Sequence, residues 1–287
     1  MVADMRDPET IPEEPPAELR YRRNLGLGTA FAVLWHTRDL IRTLAERDIR
    51  ARYKQAVLGF AWAIVNPLVL VIAFSILFNR VTKLATGGIP YALFSYVGLL
   101  AWNFFQSATT SSTNSLISNL SLLNKMQCPR ETFPLAAIAG SMLDGIIAVA
   151  ILPILLAIYG YAPKSTTPLS LLALPALLLF TTGVGLAVSC VVVYLRDLRH
   201  GVPILLQLGL FATPIAYGVR NLPLEWRPVM LLGNPLATVI ETFRDTILIG
   251  RAPSWGYLAG ATAVAAAVFL GAFWLFKRLE TGIADVG

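Results

Sequence analysis

A single carboxylate lies deep within a long apolar segment of this chain and is the first candidate for chemistry. Asp144 belongs to the segment 134–160, and the other long apolar segments contain no acid and no histidine. If the segment crosses a bilayer, a charge at its centre costs at least about 2.5–3.5 kcal/mol, which makes Asp144 a functional candidate. A proton-driven carrier usually needs a relay of such groups. The favoured interpretation is therefore structural, with Asp144 neutral or hydrogen-bonded between helices.

Uncharged polar side chains are concentrated in residues 107–119, where ten of thirteen are Ser, Thr or Asn. These groups must face protein, water or a hydrated transported substrate. Two interpretations stay open: interhelical hydrogen bonds of about 0.6 kcal/mol each, and a wall along which a sugar chain slides. The aromatic rings just upstream could stack on sugars, although rings also occupy membrane interfaces. The candidate lining residues are Trp102, Phe104, Phe105, Ser107, Thr110, Ser111 and Asn114.

Several catalytic motifs are absent from the sequence. No lysine follows a glycine, so the chain lacks the GxxxxGK loop with which many ATPases hold phosphate. The two histidines lie in no HExxH motif, and no serine has glycine at both −2 and +2. Cys128 and Cys190 lack the spacing of metal ligands. We therefore expect no enzyme activity, no cofactor and no metal in this chain.

The composition is that of an integral membrane protein. Apolar residues make up 56% of the 287 positions and charged residues 14%, against roughly 25% charged residues in soluble proteins. The mean hydropathy is +0.64. About 20 helical residues cross a bilayer, so we predict an all-α protein with six transmembrane helices, bent rather than broken at internal prolines such as Pro214. The predicted spans are 57–79, 90–113, 134–160, 168–195, 201–219 and 254–276.

Basic residues predict the orientation of these spans. Ten of the 23 Lys and Arg residues precede residue 57, and six more fall in the segments that share its side of the membrane. Since cytoplasmic loops are enriched in Lys and Arg, both termini are predicted to be cytoplasmic. The net charge of +6 is explained by these loops and does not require nucleic acid.

Two further segments are predicted to be helical without spanning. Residues 38–54 place apolar and basic side chains on opposite faces, which favours a helix in the membrane interface with its apolar face in the acyl chains. The alternative is a helix packed on the protein's own cytoplasmic side. In the second segment, 234–250, Asn234 and Pro235 form a good helix start. Its charges make it too polar to span, so short helices dipping into the outer leaflet are expected.

Four stretches carry a resemblance to a known family. They are RYKQAVLGFAWAIVNPL (52–68), LLNKMQCPRETFPL (122–135), VVVYLRDLRHGVPILLQLGLFATPIAY (191–217) and GNPLATVIETFRDTILIG (233–250). In this order, they resemble the permease subunits of type-2 ABC exporters of cell-surface polysaccharides such as O-antigen, capsule and teichoic acid.

The resemblance implies the assembly and the cargo. Such permeases are homodimers in the bacterial inner membrane, and they bind two copies of a separate ATPase subunit that holds ATP and Mg. The cargo is a polyprenyl-pyrophosphate-linked glycan or a related polymer, moved from the cytoplasmic to the outer leaflet. Residues 57–280 would form the transmembrane domain, after a disordered tail (1–25) and the interfacial region (26–56), and residues 281–287 a cytoplasmic tail.

The resemblance also implies roles for three groups of residues. The ATPase-coupling loop would comprise Asn124, Lys125, Met126, Cys128, Pro129, Arg130 and Glu131. The residues placed to meet the lipid pyrophosphate as it enters are Arg47, Arg50 and Arg52, because guanidinium groups pair phosphate oxygens bidentately; plain attraction to lipid headgroups is the alternative. The external gate would include Asn234, Pro235, Glu241 and Arg244.

Three competing functions were weighed. A membrane glycosyltransferase or phosphatase needs paired acids or a histidine-rich loop, and the predicted outer loops hold only Glu225, Glu241 and Asp245. A proton-coupled carrier would depend on Asp144. A type-2 ABC exporter of a drug or lipid is the nearest alternative.

Overall fold

The computed structural model describes residues 35–54, 59–77, 88–123 and 128–280. Within these residues the chain is helical, and no strand occurs. The α-helices are α1 (Arg38–Lys54), α2 (Gly59–Phe74), α3 (Tyr91–Ser118), α4 (Leu120–Leu123), α5 (Thr132–Ile158), α6 (Leu174–Tyr194), α7 (Leu198–Ala212), α8 (Trp226–Gly233), α9 (Pro235–Phe243) and α10 (Trp255–Leu279). A π-helix, Arg244–Ile249, continues α9, and short 3-10 helices lie at Thr167–Ala173 and Val219–Asn221.

The observed helices follow the predicted segments closely, except in the fifth. There the prediction was 201–219, whereas α7 ends at Ala212. Thr213 takes an extended backbone (φ −87°, ψ 142°), as expected for a residue whose successor is a proline, because the proline ring clashes with a preceding helical residue. Pro214 therefore ends the helix, and the expectation that it would only bend it was wrong.

In the part of the chain that the structure describes, three helical segments are long and apolar enough to cross a membrane by length and composition: Thr132–Ile158, Thr167–Tyr194 and Trp255–Leu279. Shorter apolar helical stretches occur at Pro67–Leu77 and Leu198–Ala212. The 28-residue α3 is long enough, but its polar second half lowers its hydropathy. Long apolar helices are thus confirmed, while the count of six spans stays a prediction.

The central element is α3, which packs against both α5 and α6. The hydroxyl of Tyr96 donates a hydrogen bond to the carbonyl of Ala148 in α5 at 2.7 Å. Ser112 donates to the carbonyl of Gly185 in α6 at 3.0 Å. Both side chains are fully buried, so each polar group finds its partner on a neighbouring helix, as a low-dielectric interior requires.

The apolar face of α1 packs on the protein. Leu44 and Ala45 are buried and belong to a cluster with Phe133 and Ala136 of α5. The predicted helix 38–54 is confirmed at both ends. These two side chains contact α5, however, whereas the favoured interpretation placed them in the acyl chains of the membrane. The alternative interpretation, a helix packed on its own chain, describes them correctly.

The helices α6 and α10 approach closely at Gly183. A Cβ atom at Gly183 would lie 2.9 Å from both Cα and N of Phe269 in α10. Backbone atoms cannot move aside as a flexible side chain can, so glycine is required here for the two helices to approach. Interfaces between membrane helices commonly use small residues for this reason.

We predict that Gly183→Ala destabilises the protein by roughly 1–3 kcal/mol, the usual cost of overpacking. The matched control is Gly271→Ala in α10, where an added Cβ meets nothing within 4 Å. Both substitutions replace a glycine inside a helix, so both gain the same helix propensity. Thermal unfolding of the detergent-solubilised protein measures the difference. Equal melting temperatures for the two variants would contradict the close approach of α6 and α10.

Candidate functional site

A polar cavity of about 320 Å³ lies beside α3 and α5. Five of its lining residues come from one face of α3, with spacings of three, four, seven and eight residues that place them on the same side of a helix. Asp144, Gly145 and Ala148 of α5, Phe104 of α3 and Pro67 of α2 complete the wall. The polar residues that α3 contributes are Asn103, Gln106, Ser107, Thr110 and Ser111.

Asp144 is held at the edge of this cavity by donors from two other helices. Arg52 Nη1 lies 2.5 Å from Asp144 Oδ2, and the Ser107 hydroxyl donates to the same oxygen at 3.0 Å. The Tyr53 hydroxyl donates to Oδ1. Arg52 Nη2 donates to the Ser111 hydroxyl at 3.0 Å. The prediction that Asp144 is hydrogen-bonded between helices is confirmed: the carboxylate joins α1, α3 and α5.

The three arginines predicted to meet pyrophosphate differ in their surroundings. Arg47 pairs with Asp48 at 2.8 Å and donates to Asn119 at the end of α3. Arg50 pairs with Glu46 at 3.3 Å, and its side chain is 75% exposed. Arg52 is 36% exposed and turned toward Asp144. Only Arg52 among them contacts residues that line the cavity; contact of any of the three with pyrophosphate stays a prediction.

The residues predicted to line a passage divide into two sets. Phe104, Ser107, Thr110 and Ser111 border the cavity. Trp102 and Phe105 are buried in the core, where their rings lie 5.5 Å apart and Phe105 stacks on Phe180 of α6 at 5.6 Å.

Asn114 is exposed and donates to a carbonyl of its own helix. Trp102 and Phe105 thus pack in the core of the single chain. A lining role for any of the seven residues predicted to line a passage stays a prediction.

The described part of the predicted coupling loop is attached to the end of α10. Glu131 has no exposed side-chain area, and its Oε1 lies 2.6 Å from Lys277 Nζ. Lys277 also pairs with Glu280 at 3.0 Å, and the Arg130 guanidinium donates to the Glu280 carbonyl. Burial raises the pKa of Glu131, and the Lys277 ammonium opposes that rise.

Pro129 is buried and Cys128 partly so, while Asn124, Lys125 and Met126 lie outside the described residues. Docking of the loop on a partner stays a prediction, and in this structure the Glu131 carboxylate faces its own chain.

The predicted gate segment is built around a buried arginine. Arg244 is 1% exposed, and its nitrogens donate to four carbonyls: Phe94 at 3.3 Å, Pro214 at 2.8 Å, Ile215 at 2.6 Å and Tyr217 at 3.3 Å. Its guanidinium also stacks 3.6 Å above the Phe94 ring. Arg244 thereby ties the turn after α7 to α3.

The cap and the acid of this segment support the same turn. The Asn234 side chain accepts from the Leu236 amide at 3.1 Å and donates to the Thr213 hydroxyl, which confirms the predicted helix start with Pro235 next to it. Glu241 accepts from the Val219 amide at 2.9 Å and pairs with Arg244 at 3.3 Å. All four predicted residues hold the segment together, and a gating role stays a prediction.

Some residues of these sites were missed from the sequence. Asn103 and Gln106 each lie four residues before a predicted lining residue, Ser107 and Thr110, and the helical period could have included them. Tyr53 follows Arg52, but its partner Asp144 is 91 residues away. Lys277 and Glu280 gave no signal in the sequence, because the pairing of Lys277 with Glu131 and the contact of Glu280 with Arg130 each cross more than 140 residues and depend on the fold.

The chain was compared with known proteins. A family model described as ABC-2 type transporter matches residues 39–248. The O-antigen export system permease protein RfbA of Klebsiella pneumoniae is 30% identical over 220 residues, which cover 74% of this chain and 81% of that protein. The protein of the same name from Myxococcus xanthus is 26% identical over 253 residues, covering 88% and 96%. The polysialic acid transport protein KpsM of Escherichia coli is 27% identical over 232 residues, covering 78% and 88%.

Lysine in place of Arg244 tests its structural role. We expect Arg244→Lys to destabilise the protein by at least about 2 kcal/mol, because an ammonium cannot reach the same four carbonyls and leaves some of them buried without donors. Arg251→Lys, at an exposed position of the following loop, should change the melting temperature little. Equal stability of the two variants would show that the bonds of Arg244 contribute nothing.

A double-mutant cycle tests the attachment of the coupling loop. Lys277→Met leaves two carboxylates without their cation, and we expect a loss of about 3–5 kcal/mol. Adding Glu131→Gln to Lys277→Met should recover part of the loss, because it removes a buried charge. Arg278→Met, an exposed neighbour, serves as the control. Strictly additive changes in unfolding free energy would contradict the ion pair.

Proposed function

The chain belongs to the ABC-2 type transporter family, and from this premise we propose that it is the permease subunit of an ATP-driven exporter of a cell-surface polysaccharide. The names of its relatives, an O-antigen export permease and a polysialic acid transport protein, support this class of cargo. In the finer form of the proposal, the glycan is linked to a polyprenyl pyrophosphate and moves from the cytoplasmic to the outer leaflet of the bacterial inner membrane.

The proposed assembly contains two copies of this chain and two copies of a separate ATPase subunit. A separate ATPase is consistent with the missing phosphate loop, since the chain has no GxxxxGK motif. Each chain would cross the membrane six times with both termini in the cytoplasm. The transmembrane domain would span 57–280, preceded by the tail 1–25 and the region 26–56 and followed by the tail 281–287.

The polar cavity beside α3 is the observation that carries the proposal. Its α3 face presents amides and hydroxyls without a formal charge, and such groups exchange weak hydrogen bonds with the hydroxyls of a sugar. Contacts of about 0.6 kcal/mol each are readily broken and remade. A face of this kind suits a polymer that must slide, because many weak contacts orient the chain without trapping it.

In the proposed mechanism, the lipid pyrophosphate enters beside α1 and meets its arginines. Closure of the ATPase pair pushes on the loop 124–131, which leads directly into α5. Because Glu131 and Arg130 contact Lys277 and Glu280, the same push reaches the end of α10. ATP hydrolysis then resets the loop. The segment from Asn234 to Ile249 would open and close the outer end of the passage.

Reconstitution tests the proposed function. The purified chain is placed in vesicles with and without the ABC ATPase encoded beside it, and a lipid-pyrophosphate-linked glycan is followed to the opposite leaflet with a membrane-impermeant glycosidase. We expect translocation only with both subunits and ATP. Translocation by this chain alone contradicts the proposal. ATP-driven movement of a drug or a free lipid, with the glycan left in place, would assign the chain to the alternative exporter class.

Removing one cavity hydroxyl should slow the polymer without affecting assembly. Thr110→Val deletes a lining hydroxyl and keeps the shape of the side chain, so we expect export to slow about threefold for the loss of one contact of this strength. Thr113→Val is the matched control, because Thr113 is buried and bonds to the Thr109 carbonyl of its own helix. The ATPase should co-purify with both variants. Identical export rates would remove Thr110 from the path.

A further inference from the structure

The Asp144 carboxylate is enclosed by the kind of donors that recognise phosphate. A guanidinium nitrogen of Arg52 and the hydroxyls of Tyr53 and Ser107 all point at its two oxygens. Arginine is the preferred side chain for phosphate because its planar fork presents several donors to tetrahedral oxygens, and hydroxyls complete such sites. A phosphate group would make the same bonds that the carboxylate makes here.

We propose that Arg52, Ser107 and Ser111 form a subsite for a phosphate group of the cargo lipid, and that Asp144 occupies this subsite until the phosphate displaces it. The inference deepens the proposed function and rests on it. Asp144 is thus an internal competitor rather than a permanent partner of Arg52.

The cavity provides room and further donors for the incoming group. Ser111 and Ser107 border it, and both already bond to the Arg52–Asp144 pair. The Asn103 side-chain nitrogen is buried, lines the same cavity and has no hydrogen-bond partner among the described residues. A donor without an acceptor in an enclosed polar site is costly, and a phosphate oxygen in the cavity would satisfy it.

Charge balance explains why the pair closes in the absence of cargo. In a low-dielectric setting an unpaired guanidinium or carboxylate is strongly disfavoured, so Arg52 and Asp144 neutralise each other. An arriving phosphate brings its own negative charge, and two anions beside one guanidinium repel each other. Arg52 therefore exchanges one anion for the other, and the Asp144 side chain turns away.

The exchange has a mechanical consequence for α1. Asp144 lies twelve residues after Thr132, the first residue of α5, or roughly 18 Å along its axis at 1.5 Å per residue. At this depth the bonds of Arg52 and Tyr53 to Asp144 fasten the end of α1 to α5. Loss of these bonds releases that end of α1 at the moment when the lipid phosphate binds. Arrival of cargo would thereby loosen the helix beside which it enters.

Binding of farnesyl pyrophosphate tests the subsite. Purified full-length chain in phosphatidylcholine nanodiscs is titrated with the radiolabelled probe in a filter assay. We expect Asp144→Asn to bind roughly tenfold more tightly than the unmodified chain, equivalent to 1.4 kcal/mol, because the competing charge is gone. Asp144→Glu should bind as the unmodified chain does, since it keeps the carboxylate. Arg52→Gln should bind at least about tenfold more weakly. Arg278→Gln, which changes an exposed arginine of α10 far along the chain from the predicted entry residues, is the control and should bind within about twofold of the unmodified chain.

Unchanged or weaker binding by Asp144→Asn overturns the inference. If that variant does not fold, Asp144→Ser is the second neutral replacement and is judged in the same way. Phosphatidylglycerol added to the nanodiscs separates the two sources of phosphate: competition equal to that of unlabelled probe would assign the subsite to bilayer headgroups and overturn the cargo assignment.

Failure of the inference and failure of the proposed function are distinguishable. Tight binding by Asp144→Asn without glycan export would leave the subsite and remove the function. If the glycan is exported but the Asp144→Asn variant binds the probe only as the unmodified chain does, the subsite is removed and the function is left.

Discussion

Charged side chains that are shielded from water in so apolar a chain need partners from the protein itself, and this constraint shapes the sites described above. Arg52 is neutralised by Asp144, Glu131 by Lys277, and Arg244 by four backbone carbonyls and Glu241. Except for the pair of Arg244 with Glu241, these contacts join residues far apart in sequence. The charged side chains therefore also hold helices together at the three groups of residues predicted to act in substrate entry, ATPase coupling and gating.

Hydroxyl groups play two distinct roles in α3. Ser112 and Thr113 are buried, and Ser112 bonds to the backbone of α6 while Thr113 bonds within its own helix. Ser107, Thr110 and Ser111 lie on the opposite side of the helix and face the cavity. The interhelical interpretation of the polar run 107–119 is confirmed for the buried face, where Ser112 bonds to α6, and the sugar-wall interpretation stays a prediction for the face that borders the cavity. The sequence hides this division, because a count of polar residues does not say which way they face.

Local signals predicted most of the fold. Helix lengths, the Asn234 cap and the amphipathic pattern of α1 depend on neighbours within a few residues, and these agree with the structure. Asp144 was predicted to be bonded between helices because an isolated acid in an apolar segment has few other stable states. Its partner could not be predicted, since Arg52 is one of several arginines in α1. The same holds for Lys277, whose pairing with Glu131 requires the start of α5 and the end of α10 to lie side by side.

Arg244 and Arg52 differ in how readily they can change partners. Arg244 is bound by carbonyl groups of the backbone, which cannot leave without unfolding the turn after α7. Arg52 is bound by a side-chain carboxylate, which can rotate away, and its neighbours are hydroxyls that accept as well as they donate. An arginine held by backbone carbonyls suits a fixed support, and one held by a carboxylate suits an anion-exchange site. This contrast is the physical reason to place cargo recognition at Arg52 and structural support at Arg244.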